Sequence, residues 1–188
     1  MTTKPILLST LILSIAAHNV LATKEQEQKR EFINGALWGD FEKVQNILNT
    51  SKHLTIADKN RAFRGAIEST YPASERNHEY IKVVEALIKD SPHLGIEESL
   101  FGETVAHLAA FRCNYEMLRI LDKNNVDLTK KDIFGNSPLY YACNQKSKLE
   151  SDVKDFSEED FYHSYAQSVI PHCQITIKYL EAKENSQK

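Results

Sequence analysis

Two stretches of this chain repeat one pattern 33 positions apart. Residues 101–110 read Phe-Gly-Glu-Thr-Val-Ala-His-Leu-Ala-Ala, and residues 134–143 read Phe-Gly-Asn-Ser-Pro-Leu-Tyr-Tyr-Ala-Cys. Gly102 recurs as Gly135, Thr104 as Ser137 and Ala109 as Ala142. A fixed period of this length implies a stack of one supersecondary unit, because a single copy cannot bury its own apolar face. It constrains the fold before any single residue does.

The unit can be read from its chemistry. Gly102 and Gly135 suit tight turns that need a positive φ. Thr104 and Ser137 follow as helix N-caps, whose side-chain oxygens can accept a backbone N–H two or three residues on. Pro138 stands at the first helical position, where its missing N–H costs nothing. The small pair Ala109-Ala110 lets two helices approach closely. After a break at Cys113-Asn114, Met117, Leu118, Ile120 and Leu121 form a second apolar stripe at helical spacing. Asn124-Asn125 closes that helix, since Asn tolerates the left-handed C-cap.

These residues resemble the ankyrin repeat, a turn followed by two antiparallel helices and a loop, with a Thr-Pro-Leu-His-x-Ala signature. Thr104, His107, Leu108, Ala109 and Ala110 match, as do Ser137-Pro138-Leu139 and the closing Asp127-Leu128. Val105 stands where the family has Pro, Cys113 where it has Gly, and Tyr140 where it has His. The resemblance implies that His107 bonds backbone across the turn and between units.

Lys4 is the only charge before Lys24, Ile6 to Ala17 is mostly apolar, and Val20-Leu21-Ala22 ends in a small residue. That is the order of a signal peptide, with cleavage expected after Ala22. The apolar run is short for a transmembrane helix, which needs about 20 residues. The alternatives are an uncleaved anchor and a hydrophobic helix packed on the repeats. The expected organisation is therefore a signal peptide over 1–22 and an all-α ankyrin-type solenoid over 23–188.

Four units fit the solenoid, near 30–57, 58–98, 99–131 and 132–183. In the first, Phe32 to Asp40 reads as the inner helix and Phe41, Val44, Ile47 and Leu48 as the outer stripe, with Trp38 and Phe41 expected in the core and an exposed binding role the alternative for Trp38. The second pairs an inner helix at Ala62 to Ile67 with an outer one through Ile81, Val84 and Leu87, across a long link from Glu68 to His78. In the fourth, aligning the outer stripe on Met117 places its match near Thr176, so an insert is expected over 146–171. Within it, Ser157-Glu158-Glu159-Asp160 is a capping-box-like start to a short amphipathic helix. The few glycines (6) and prolines (5) favour helices over sheet.

Nothing in the chain assembles a reaction centre. His163, His172 and Cys173 cluster in the insert without zinc-ligand spacing. Asp152, Asp155, Glu158, Glu159 and Asp160 lack the ligand order of a calcium loop. No phosphate-binding or nucleophile-elbow motif occurs. The reading therefore assigns no catalytic residue, cofactor or metal. Two arrangements stay open for Cys113, Cys143 and Cys173: three buried free thiols, or a Cys143–Cys173 disulfide closing the insert. A net charge of −3 without a basic block argues against nucleic acid as the main partner.

The resemblance implies a non-enzymatic module that binds a protein through its turn tips and inner-helix face. Carried over by position, the tips supply Leu100, Phe101 and Glu103, then Ile133, Phe134 and Asn136. The inner helices supply Phe111 and Arg112, then Asn144 and Gln145. Signal-bearing bacterial ankyrin proteins are similar, so the expectation is an exported monomer, periplasmic or secreted, off the membrane once cleaved. An enzyme or effector with its site in the insert and a membrane-anchored scaffold are the competing readings.

Overall fold

The structure, a computed structural model, describes the backbone of residues 4–186 apart from 73, 93 and 95–98, and side chains from residue 21 onward. The described residues form eight helices and no strand. They are α1 (Lys4–Leu37), α2 (Phe41–Thr50), α3 (Ile56–Glu68), α4 (Asn77–Asp90), α5 (Val105–Phe111), α6 (Tyr115–Lys123), α7 (Pro138–Asp155) and α8 (Phe161–Asn185). Each odd-numbered helix pairs with the next to make one unit. The inner helices pack in sequence, α1 on α3, α3 on α5 and α5 on α7. Among the outer helices α2 packs on α4 and α6 on α8. The molecule is the expected α-solenoid of helix-turn-helix units.

Local chemistry sets the helix starts. Thr55 caps α3 in a reciprocal box with Asp58, and Thr104 caps α5 by accepting from the Ala106 N–H. Asp40 and Asn114 begin α2 and α6 by accepting from the Lys43 and Met117 N–H groups. Ser137 behaves differently. It makes no cap bond, and its Oγ donates to Glu184 Oε1 at 2.6 Å, so Pro138 alone starts α7. The tight turn between α5 and α6 puts Cys113 at φ 54°, where the family's Gly would sit without strain. Asn125, at φ 61°, takes the left-handed position that ends α6.

The main core runs through all four units, from Phe32 and Phe63 to Leu87, Leu118, Leu121 and Leu180. Ala106, Ala109 and Ala110 are fully buried where α5 meets its neighbours. Phe41 packs partly buried against this core, but Trp38 is 68% exposed and does not belong to it. Trp38 follows α1 at the interhelix turn, where the second unit holds its backbone, with Arg76 donating to Trp38 O at 2.6 Å.

The extra residues expected over 146–171 continue the two helices of the fourth unit rather than looping out between them. The inner helix α7 runs 18 residues against 7 in α5, and α8 runs 25 against 9 in α6. The extra residues lengthen both helices into one hairpin, closed by a turn at residues 156–160. Asp160, not Ser157, caps α8 by accepting from the Tyr162 N–H. Pro171 lies inside α8. The lengthened part has its own buried cluster, Cys113, Leu149, Ala166, Val169 and Cys173.

The cysteines follow neither expected arrangement. Cys113 and Cys173 form a disulfide across 60 positions, with their Cα atoms 4.5 Å apart, and Cys143 is the free, exposed thiol. Cys143 faces away because its helix turns it towards Ile177 and Lys178, while Cys173 lies over the α5–α6 turn.

The expected signal peptide rests largely on residues 1–20, whose side chains lie outside those described. Among the described residues no helix is long and apolar enough to cross a membrane.

Candidate functional site

The two turn tips are built from the same bonds. In the first, the Ser99 N–H donates to Glu103 O (2.9 Å) and the Gly102 N–H to Ser99 O (2.9 Å). In the second, the Asp132 N–H donates to Asn136 O (2.9 Å) and the Gly135 N–H to Asp132 O (3.0 Å). The leading side chain holds the loop from inside. Ser99 Oγ accepts from the Phe101 and Glu103 N–H groups, and Asp132 Oδ1 accepts from those of Phe134 and Asn136. Gly102 and Gly135 turn the chain at φ 77° and 83°. With the polar backbone satisfied inward, the middle residues of each tip point out.

Those outward residues are apolar. Leu100 is 97% exposed and Phe134 69%, with Phe101 and Ile133 also exposed. The Phe101 and Phe134 ring centroids lie 6.1 Å apart, and the Ile133 N–H donates to Phe101 O at 3.0 Å. The tips thus form one ridge rather than two separate fingers. A backbone hydrogen bond between units fixes their spacing, so little ordering entropy remains to be lost on binding.

Behind the ridge a buried polar set locks the units together. His107 Nδ1 accepts from the Thr104 N–H at 3.0 Å, which leaves Nε2 to donate to Asn136 O at 3.1 Å in the next unit. The imidazole bonds both its own turn and its neighbour's, as the resemblance implied. Burial pushes its pKa below the ordinary 6.5, outweighing the pull of Asn136 O and the Asp132 and Glu103 carboxylates. The Tyr141 hydroxyl contacts Glu103 Oε1 and Asp132 Oδ2, each at 2.9 Å, and so joins the two tips from below. Burial and the two carboxylates push the Tyr141 hydroxyl's pKa up. Burial also raises that of Asp132, but the Asn136 N–H and the Tyr141 hydroxyl outweigh it and hold the carboxyl below its usual value.

The expected site residues therefore divide. Leu100, Phe101, Ile133 and Phe134 come together on the ridge. Glu103 and Asn136 lie beneath it, Glu103 as acceptor for Ser99 and Tyr141, and Asn136 bonded to Asp132 and His107. Phe111 and Arg112 sit at the far end of α5, beside Tyr71 of the second unit. Asn144 is exposed on α7. Gln145 is half-buried, with its Oε1 enclosed and unpartnered among the described residues.

Sequence reasoning missed Tyr140, which is 53% exposed and edge-on to Tyr141 beside the second tip. It replaces the family's histidine, and that departure was the available signal. His163, in the lengthened hairpin, shares its ring nitrogens with Phe156 O and the Gln167 amide. Among the described residues no group of His, Cys, Asp or Glu is placed to hold a metal ion.

Residues 72–151 match the family model described as ankyrin repeats (3 copies). The matched segment begins in the link after α3 and ends within α7, so it includes both tips. A comparison with curated proteins gives no match.

Proposed function

Because residues 72–151 are ankyrin repeats, and because such repeats are protein-interaction modules, we propose that this protein binds a protein partner on the ridge made by Leu100, Phe101, Ile133 and Phe134. The observation that carries the reading is the pairing of two apolar tips by the Ile133–Phe101 hydrogen bond. Exposed aromatic side chains held rigidly are the usual anchors of an interface, because burying them releases water without ordering a flexible loop. The module is non-enzymatic in this reading, and a monomer in the absence of its partner.

We also propose that it acts after export. The apolar stretch from Ile6 to Ala17, preceded by Lys4 and followed by Ala22, supports this. So does the Cys113–Cys173 pair, since structural disulfides persist chiefly in oxidising compartments. The two supports are independent of each other.

Phe101→Ala with Phe134→Ala tests the binding reading. Bait protein with and without the two substitutions is passed over an envelope fraction of the source cell. A partner retained by the unaltered protein should be lost with the double variant, while the melting temperature stays within a degree or two. Equal retention by both proteins would show that the ridge is not the contact.

A further inference from the structure

The lengthened hairpin of α7 and α8 is the part of the molecule that the repeat does not require. It extends past the level at which α5 ends, on the side opposite the turn tips. It is also firmly held. The Cys113–Cys173 disulfide fixes it to the α5–α6 turn, and Leu149, Ala166 and Val169 close a small core beneath it. Tyr165 reaches back to the link of the second unit, edge-on to Tyr71 at 6.3 Å. The Arg112 guanidinium lies over the rings of both Tyr71 (5.3 Å) and Phe111 (5.9 Å).

A hairpin needed only to cover the last unit would turn its large side chains inward. This one leaves Phe161 81% and Tyr162 57% exposed, with Phe156 stacked on Tyr162 at 5.7 Å. Exposed aromatics grouped in this way are uncommon unless they meet something. The turn itself carries charge of one sign, the nearest base being Lys154 at the end of α7. Between Asp155 and Asp160 the turn carries Asp155, Glu158, Glu159 and Asp160 and no basic residue.

We propose that the tip of this hairpin is a second protein-docking surface, and that it takes a cationic segment of a partner bearing large apolar side chains. The apolar side chains would pack on Phe161 and Tyr162 while Lys or Arg meets Glu158 and Glu159. Four carboxylates repel an anionic lipid surface, which would otherwise suit exposed aromatics. The surface lies away from the ridge and does not depend on it.

The probe is a short fluorescein-labelled peptide of Lys, Leu and Phe, with a Glu, Leu and Phe peptide of the same pattern as control, read by anisotropy. The Lys peptide should bind and the Glu peptide should not. Phe161→Ala with Tyr162→Ala should weaken binding about tenfold or more, the loss typical of removing an anchor. Glu158→Lys with Glu159→Lys should weaken it and flatten its salt dependence. Phe101→Ala with Phe134→Ala should leave it unchanged, which separates this surface from the ridge. The proposal is overturned if the Lys peptide does not bind, if both peptides bind alike, or if the hairpin variants bind as the unaltered protein does. It is also overturned if sedimentation shows a dimer that Phe161→Ala disperses, since the occupant is then a second copy. Co-sedimentation with phosphatidylserine vesicles through Phe161 overturns it in favour of a membrane.

Discussion

Cutting the Cys113–Cys173 link should be the most damaging single change outside the main core. The bond closes a loop of 60 positions. In the chain-entropy account, freeing a loop of that length returns about 4 kcal/mol of stability to the unfolded chain. Small domains hold only about 5–15 kcal/mol in all. With a urea slope of about 2 kcal/mol per molar, Cys113→Ser should lower the unfolding midpoint by about 2 M under oxidising conditions. Because Cys113 sits at φ 54°, Cys113→Gly should be less damaging than Cys113→Ser, by about 1 kcal/mol, since glycine relieves the left-handed strain. Cys143→Ser should change little, as that thiol is exposed and unpaired. Hydrogen exchange should show the loss first in α7 and α8, since a stacked array transmits stability from neighbour to neighbour. Urea titrations of the three variants, with iodoacetamide labelling of the unaltered protein unfolded in urea without reductant, where buried thiols also react, decide the matter. One labelled thiol and the stated order of midpoints are expected; three labelled thiols with unchanged midpoints would refute the reasoning.

Other perturbations have defined outcomes. Ala109→Leu should overpack the fully buried contact of α5 with its neighbours and cost about 1–3 kcal/mol, read as a lowered melting temperature. Gly135→Ala should cost about 1–2 kcal/mol from its φ of 83° alone, having nothing within 4 Å of the new methyl. Gly102→Ala should cost more, because there the methyl also meets the Ile133 backbone N at 3.2 Å; paired denaturation curves compare them. Tyr141→Phe removes a hydroxyl whose one proton is shared between two carboxylates, and should cost about 1.5–3 kcal/mol in the same assay. His107 has a folded pKa below its unfolded 6.5, so the unfolded chain takes up the proton first as pH falls. Stability should therefore drop as pH falls below about 6.5 towards the folded pKa, and His107→Gln should flatten that part of the stability–pH curve.

The parts of the fold that repeat were legible in the chain, and the parts that do not were less so. Gly102, Thr104 and Ala109, against Gly135, Ser137 and Ala142, set the unit, its turn and its close-packed helices. The ridge was legible for the same reason, since tip positions are counted from the glycines. The lengthened hairpin was legible only in part: aligning the outer stripe on Met117 marked residues 146–171 as extra, but not that they continue both helices, with Pro171 inside α8. Its own apolar spacing, Leu149 with Val153 and Ala166 with Val169, was the signal for continuous helix. The disulfide was hidden by the same omission, because an insert looped out between Cys143 and Cys173 makes those two the natural pair. Once α8 is continuous, Cys173 comes over the α5–α6 turn, and Cys113 occupies the position where the family carries glycine. Trp38 was expected in the core as part of the inner helix read over Phe32 to Asp40, but α1 ends at Leu37.

The central claim is that the paired tips meet a protein. A photo-crosslinking amino acid at position 134, against the same group at exposed Lys52, tests it most directly in an envelope fraction of the source cell. The account predicts a discrete crosslinked species from position 134 and none from position 52. No species from position 134, or the same species from both, would contradict it.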